Sequence, residues 1–253
     1  MQLSLVISKV LSTFAVSAVA ALSFCSPVQA IVFSGNSRGI WGVPDPGSFN
    51  TDPYYGYYTD EDVSVFGWGL AIPDNPRFGT PPNSLSFRGT QFNSAFNSLF
   101  KIGDLMYFNG VVPLYTSVEQ VPLKLEIAFQ SPIKITESFE FNFDLVNVLN
   151  DPNKPLDSID NADYVFISSS FANRSFTYDD KQYTLELIGF SQDGGLTSTT
   201  EFRVVEGAWE NAEIYGRITY VPPAVIPEPG VLIGLSSLGV YMLALHKRRV
   251  NKV

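Results

Sequence analysis

Residues 123–129 read Leu-Lys-Leu-Glu-Ile-Ala-Phe, and residues 139–145 read Phe-Glu-Phe-Asn-Phe-Asp-Leu. In both segments a large apolar side chain occupies every second position. A period of two places those side chains on one face of a β-strand and the intervening side chains on the other. The two segments therefore predict a pair of strands that each have one face in the core and one in solvent.

Shorter segments of the same kind lie on both sides of this pair, at residues 63–66, 85–88, 164–167, 183–188, 202–205 and 214–220. Turn residues separate them. Asp179-Asp180 predicts a tight antiparallel hairpin, and Asp193-Gly194-Gly195 a second turn. Residues 92–100 favour one short helix. Many short strands joined by such turns predict an all-β fold, an antiparallel two-sheet sandwich that is jelly-roll-like.

The N-terminus carries the pattern of a signal peptide. Residues 11–24 are apolar and uncharged behind Lys9, and Val28-Gln29-Ala30 places small residues where signal peptidase requires them. We expect cleavage to remove residues 1–30 and to leave Ile31 as the mature N-terminus. Cys25, the only cysteine, would leave with the signal, and Phe24 before it is not the small residue that lipidation requires.

The composition changes abruptly after residue 221. Residues 222–230 are a proline-rich linker, residues 231–245 carry no charge, and Lys247-Arg248-Arg249 follow. A 15-residue helix spans about 22 Å, short of the ~30 Å hydrocarbon core. The basic end predicts a cytoplasmic C-terminus and an outward ectodomain. The expected units are a signal peptide (1–30), an ectodomain (31–221), a linker (222–230) and a hydrophobic helix with a basic tail (231–253).

Charge divides along the same boundaries. The chain has 16 basic and 25 acidic residues. Five basic residues and Glu228 lie in the two terminal segments, so residues 31–226 hold 11 basic and 24 acidic side chains, a net charge of −13. Nucleic-acid binding needs a basic surface that displaces counterions from phosphates, which excludes a nucleic-acid partner. An acidic surface is compatible with bound cations.

The inventory of reactive side chains is short. His246 is the only histidine and lies in the tail, so residues 31–226 contain neither histidine nor cysteine. This excludes Ser-His-Asp and Cys-His catalysis, as well as zinc or copper sites built from these side chains. Two carboxylates could still hydrolyse a glycosidic bond, but among so many acidic residues some pair lies close by chance. We therefore predict a protein that is not an enzyme.

Oxygen ligands are densest in residues 150–163, which contain Asp151, Asp157, Asp160 and Asp163. Calcium takes six to eight oxygens from carboxylates, amides and carbonyls, commonly on a loop. The spacing matches no EF-hand loop, and aspartates that cap turns in a solvated loop would give the same composition. The expectation is either no cofactor or one calcium ion bound by these four aspartates.

Aromatic side chains offer a second candidate site. Four tyrosines stand close together in the Gly/Pro/Asp-rich residues 42–60: Tyr54, Tyr55, Tyr57 and Tyr58. We expect residues 42–60 and 71–83 to form long ordered loops, in which these tyrosines cannot all be buried. Exposed aromatic rings can stack on sugar rings. Trp41 and Trp68 lie beside glycines, where packing in the core is the favoured interpretation, and Trp209 is a further aromatic candidate.

The C-terminal features resemble a PEP-CTERM sorting signal. They are the motif Pro227-Glu228-Pro229, the uncharged residues 231–245 and the basic Lys247-Arg248-Arg249. The resemblance implies that a membrane-embedded exosortase recognises and cleaves the tail, usually in Gram-negative bacteria that make exopolysaccharide. A permanent single-span anchor is the alternative.

The ectodomain is similar to the choice-of-anchor K domain. The matching motifs are Gly39-Ile40-Trp41-Gly42-Val43-Pro44, Phe66-Gly67-Trp68-Gly69, Asn83-Ser84-Leu85-Ser86-Phe87-Arg88-Gly89 and Phe100-Lys101-Ile102-Gly103-Asp104-Leu105-Met106-Tyr107-Phe108-Asn109-Gly110. They cover the first half of the ectodomain, and Tyr107 stands where the family pattern has histidine. The resemblance implies an architecture and a location, and it implies no activity.

Together these features predict a noncatalytic protein of the outer surface or extracellular matrix, associated with exopolysaccharide. Its processing partners would be signal peptidase and exosortase, and its C-terminal helix would hold it in the membrane before processing. The alternative is a lectin-like module that binds glycans through exposed tyrosine and tryptophan loops.

Overall fold

The computed structural model describes residues 31–72, 79–168 and 173–220. Several predicted features lie outside these described residues. They are the signal peptide with Val28 and Ala30, the linker, the C-terminal helix, and the motif residues Pro227, Glu228, Pro229, Lys247, Arg248 and Arg249.

Strands account for most of the regular structure in the described ranges. They are β1 (Val32–Trp41), β2 (Tyr55–Asp60), β3 (Val63–Trp68), β4 (Asn83–Gly89), β5 (Gln91–Ala95), β6 (Leu99–Phe108), β7 (Gln120–Ser131), β8 (Ile135–Val146), β9 (Asp163–Ile167), β10 (Asn173–Tyr178), β11 (Lys181–Ser191), β12 (Glu201–Val204) and β13 (Trp209–Tyr220). One turn of 3-10 helix, Ile159–Asn161, precedes β9.

The strands form two antiparallel sheets. The six-stranded sheet has the order β5-β1-β7-β8-β9-β12, and the seven-stranded sheet has the order β2-β3-β4-β6-β13-β11-β10. Strand β1 of the first sheet contacts β3, β4 and β6 of the second, so the sheets pack face to face. The predicted all-β, antiparallel, two-sheet architecture is confirmed.

The alternating segments form the centre of the core, as predicted. Leu123 lies opposite Phe141 and Leu125 opposite Phe139 in the β7–β8 ladder, and all four side chains are buried. Trp41 is also buried, and its indole N–H donates to the Ser64 carbonyl at 3.1 Å. Burial of each such side chain stabilises the fold by about 1.5–3 kcal/mol.

Two expectations about local structure are wrong. Residues 92–100 form no helix: β5 ends at Ala95, Asn97 turns the chain with a φ of 61°, and β6 begins at Leu99. The turn brings Phe92 and Phe100 to a ring separation of 4.7 Å, a contact that a helix would not make. Residues 55–60 are also not a loop. They form β2, because their backbone pairs with β3 from Tyr55–Trp68 to Asp60–Val63.

The predicted hairpin at Asp179-Asp180 is confirmed. These residues join β10 to β11 and have φ angles of 51° and 56°. Positive φ at both central residues is the geometry of the two-residue turn whose twist matches the flanking strands.

Candidate binding cleft

A cavity of about 940 Å³ lies where strand ends from both sheets meet. We call it the acidic cleft. It is lined from within residues 45–50, 110–120 and 144–150, together with Asp163 and Glu206. The strand register explains the convergence. The end of β8 pairs with the start of β9 through Val146 and Tyr164, and the start of β9 pairs with the end of β12 through Asp163 and Val204.

The lining combines carboxylates with apolar side chains. Five acidic residues face the cavity: Asp45, Glu119, Asp144, Asp163 and Glu206. Among the residues that the structure describes, no lysine, arginine or histidine lines it. Valine, leucine and proline side chains from residues 111–114 and 145–149 supply the apolar part. The cleft therefore has a negative potential that favours cations and hydrogen-bond donors.

Two aromatic rings border the cleft. The rings of Phe49 and Tyr115 have centroids 5.0 Å apart and an interplanar angle of 42°. Both remain accessible, with Phe49 56% and Tyr115 47% exposed. Tyr115 has a φ of 71°, a left-handed conformation that is uncommon for a side chain of its size. Such strained residues cluster at ligand-binding sites.

Amide side chains hold the two sheets together beside the cleft. Asn83 at the start of β4 is fully buried, and its Oδ1 accepts the Gly110 N–H at 2.7 Å. Its Nδ2 donates to Asn147 Oδ1 at 3.4 Å, and Asn147 Nδ2 donates to Ser117 Oγ at 2.6 Å. Because these bonds link residues on both sheets, they keep the cleft walls in place.

Asp163 and Glu206 are the most deeply buried acids of the cleft, at 3% and 6% exposure. Asp163 Oδ1 accepts the Val148 N–H at 2.7 Å, and Glu206 Oε1 accepts Asn150 Nδ2 at 2.9 Å. Burial raises the pKa of Asp163, the Val148 hydrogen bond opposes that shift and the charge of Glu206 adds to it, and the resulting pKa is about 8. Burial also raises the pKa of Glu206, which the Asn150 hydrogen bond opposes.

Tyr107 is buried close to this pair. Burial raises the pKa of its hydroxyl well above the usual range, and the charges of Asp163 and Glu206 add to the shift. Its ring stacks on Trp68 with centroids 5.7 Å apart. Tyr107 therefore packs among buried aromatic rings behind the two acids, with Trp68 and Phe202 as its ring neighbours.

The four aspartates predicted to bind calcium have different surroundings. Asp151 Oδ1 accepts the Asn153 N–H at 2.9 Å, Asp157 is exposed, and Asp160 forms an ion pair with Lys154 at 2.6 Å. Only Asp163 faces the cleft. In the part of the chain that the structure describes, no three His, Cys, Asp or Glu side chains form a metal-binding group. The predicted set is therefore not brought together.

The predicted tyrosine platform lies on an edge strand. Tyr54, Tyr55, Tyr57 and Tyr58 are 60%, 39%, 49% and 64% exposed, at and just before β2, the outermost strand of its sheet. The Tyr54 N–H donates to the Thr116 carbonyl at 2.9 Å, next to Tyr115 of the cleft border. The tyrosines thus begin beside the cleft and continue away from it along the sheet edge.

Two of the three tryptophans are buried and the third is exposed. Trp41 and Trp68 are 1% exposed, so their predicted position in the core is confirmed. Trp209 is 54% exposed at the start of β13, with its ring 4.7 Å from that of Phe108.

Comparison with known proteins adds no relative: the sequence matches no family model and no curated protein. Within residues 31–72, 79–168 and 173–220, no helix is long and apolar enough to cross a membrane. The predicted C-terminal helix, residues 231–245, lies outside those ranges.

Proposed function

We propose that the protein is an exported, noncatalytic component of the outer surface or extracellular matrix that associates with exopolysaccharide by binding glycan. The acidic cleft with its aromatic border carries this proposal. The cleft favours the lectin-like alternative predicted from the sequence. The proposed glycan-binding surface is the cleft, not the four tyrosines alone.

The chemistry of the cleft suits a carbohydrate. Carboxylate and amide oxygens accept hydrogen bonds from sugar hydroxyls, while an aromatic ring packs against the apolar face of a sugar. Phe49 and Tyr115 are exposed in this position, and Asp45, Glu119 and Asp144 supply acceptors along the wall. A volume of about 940 Å³ lies within the usual range of small-molecule sites.

The remaining parts of the proposal rest on the terminal segments. Signal peptidase would cleave after Ala30, and Ile31 directly precedes β1 (Val32–Trp41), so the sandwich loses no strand on cleavage. An exosortase would recognise Pro227-Glu228-Pro229 after residues 231–245 insert as a helix. We also propose that the two-sheet sandwich is jelly-roll-like.

Binding of purified host exopolysaccharide tests the function, with Phe49→Ala and Tyr115→Asn as cleft variants. Asparagine tolerates the left-handed φ at position 115, so this change removes the ring without adding strain. We expect each variant to lose about ten-fold in affinity, the equivalent of ~1.4 kcal/mol. Tyr58→Ala, on the edge strand away from the cleft, is the matched control and should bind normally.

Two outcomes would contradict this proposal. Unchanged binding by both cleft variants with loss in Tyr58→Ala would assign recognition to the tyrosines of β2. Release of shortened glycans by the wild-type protein would show that two cleft carboxylates perform hydrolysis, the activity that a pair of acids can support.

Replacement of Glu228 by alanine tests the processing route. We expect export to continue and an uncleaved, membrane-associated form to accumulate. Appearance of Glu228→Ala outside the cell at normal size and yield would rule out the sorting signal.

A further inference from the structure

Three buried oxygens around Glu206 lack a hydrogen bond from any described residue. They are Glu206 Oε2, Asn150 Oδ1 and Asn109 Oδ1. Glu206 is 6% exposed and Asn109 is fully buried. Buried polar atoms are nearly always paired, and an unpaired one costs the fold its desolvation energy. Each of these oxygens therefore needs a hydrogen-bond donor or a cation that the described residues do not supply.

Hydrogen bonds and strand pairing connect the residues that carry these oxygens to one another and to Asp163. Asn150 donates to Glu206 at 2.9 Å. Asn109 contacts the chain on both sides of Glu206. Its side-chain Nδ2 donates to the Val204 carbonyl, and its backbone carbonyl accepts the Gly207 N–H. Val204 in turn lies opposite Asp163 in the β9–β12 ladder.

The two carboxyl groups at this position have no cationic partner among the described residues. Asp163 and Glu206 are both more than nine-tenths buried, and no basic side chain lines the described part of the cleft. A buried carboxylate persists when it is paired or coordinates a metal. A cation here would neutralise the charge and also satisfy the unpaired oxygens of Glu206 and Asn150.

We propose that Asp163 and Glu206, together with the amide oxygen of Asn150, bind one calcium ion in the acidic cleft. Two carboxylates with neutral oxygens in an irregular arrangement suit Ca²⁺, which accepts six to eight oxygen ligands in flexible geometry. Mg²⁺ demands a near-ideal octahedron and suits the arrangement less well. Water from the cleft completes the shell. The site shares only Asp163 with the four aspartates predicted from the sequence.

The first experiment measures the melting temperature of the purified full chain at pH 9, with no glycan, in EDTA and in 5 mM CaCl₂. An ion that binds only the folded state stabilises it. For a dissociation constant of about 10⁻⁴ M, typical of extracellular calcium modules, we expect a rise of about 5 °C. MgCl₂ at the same concentration should raise it less. An unchanged melting temperature in calcium overturns the proposal.

Substitutions then locate the ion. Glu206→Gln and Asp163→Asn keep the shape and the hydrogen bonds to Asn150 and Val148 but remove one charge each. We expect both variants to lose the calcium shift and to melt at a higher temperature than the wild type in EDTA, because a buried like charge is gone. Asp160→Asn, in the solvated loop, is the matched control and should keep the full shift. Retention of the shift by both cleft variants, or its loss in Asp160→Asn, overturns this assignment.

The calcium site goes beyond the proposed glycan binding, and the melting experiments contain no glycan. Each proposal can therefore be contradicted without affecting the other. A chain that gains stability from calcium but binds no exopolysaccharide would retain the ion site and lose the proposed function. A chain that binds exopolysaccharide as well in EDTA as in calcium, and whose melting temperature does not respond to calcium, would retain the proposed function and lose the ion site.

Discussion

The same strands build two different environments at their two ends. At one end, β1, β7, β8, β10 and β11 bring together a cluster that we call the aromatic cluster: Phe33, Phe129, Phe139, Phe176 and Tyr183, each no more than 5% exposed. At the other end, β1, β7 and β8 lead into the acidic cleft, where carboxylates and amides surround a cavity. One end therefore carries packed apolar side chains that stabilise the fold, while the other presents carboxylates and amides to a cavity.

The largest expected effect comes from the aromatic cluster. Phe33 lies within 5.3–6.2 Å of the rings of Phe129, Phe176 and Tyr183. Phe33→Ala should lower the free energy of unfolding by about 3–5 kcal/mol, because it removes buried apolar surface and leaves a cavity. Denaturant unfolding measures the loss. Phe49→Ala at the cleft border is the control, and a loss there as large as that of Phe33→Ala would abolish the distinction between the two ends.

A smaller loss is expected from the polar links beside the cleft. Asn83→Ala leaves the buried Gly110 N–H without its 2.7 Å acceptor and breaks the contact with Asn147. The expected cost is about 1–3 kcal/mol of unfolding free energy. The same variant should weaken glycan binding, because residues 110–117 would lose their support. Normal stability together with normal binding would show that the cleft walls do not depend on this link.

The β10–β11 turn should respond in the opposite direction. Asp179 and Asp180 both have positive φ, which Asn-Gly adopts more readily. The double substitution Asp179→Asn and Asp180→Gly should raise the free energy of unfolding by about 0.5–1 kcal/mol, because relief of the left-handed backbone strain outweighs the greater entropy of glycine in the unfolded chain. The melting temperature should rise. Glycan binding should not change, because the turn joins two strands of the aromatic cluster and does not line the acidic cleft. A fall in melting temperature would contradict this assignment of the turn.

The smallest effect concerns an exposed carboxylate, in contrast to the buried pair of the cleft. Hydrogen bonds lower the pKa of Asp193 to about 2: the Thr197 hydroxyl and N–H come first, and the Ser191 hydroxyl follows. A lowered carboxyl pKa contributes stability that is present above the unfolded value of about 3.9 and is lost as the pH falls toward 2. Asp193→Asn should therefore flatten the decline in melting temperature between pH 4 and pH 2. An unchanged decline would show that other acids cause it.

The fold was largely predictable because alternation is a local property. The period of two in residues 123–129 and 139–145 identified β7 and β8 and their buried faces, and Asp179-Asp180 identified a hairpin. The errors arose where local signals conflict with pairing. Residues 55–60 resemble a loop in composition, but the neighbouring β3 supplies the hydrogen bonds that make them a strand.

The cleft was mostly not predictable. Asp163 was a candidate ligand and Asn150 lay in the oxygen-rich segment 150–163, but Glu206, Asn109, Phe49 and Tyr115 were not predicted. Asn109 and Glu206 are nearly 100 positions apart in the sequence, and no motif joins them. They meet because Gly207 and Val204 bond to Asn109, while the β9–β12 register places Asp163 opposite Val204.

The sequence by itself determined the all-β class, the faces of the central strands, the acidic charge, and the absence of histidine and cysteine between residues 31 and 226. These follow from composition and from the alternation of side chains along one strand. Which acids are buried together, and which oxygens lack a partner, became visible once the folded structure was known. The physical reason is that pKa shifts and ligand sites depend on burial and on neighbours across strands, and the register between distant segments sets both.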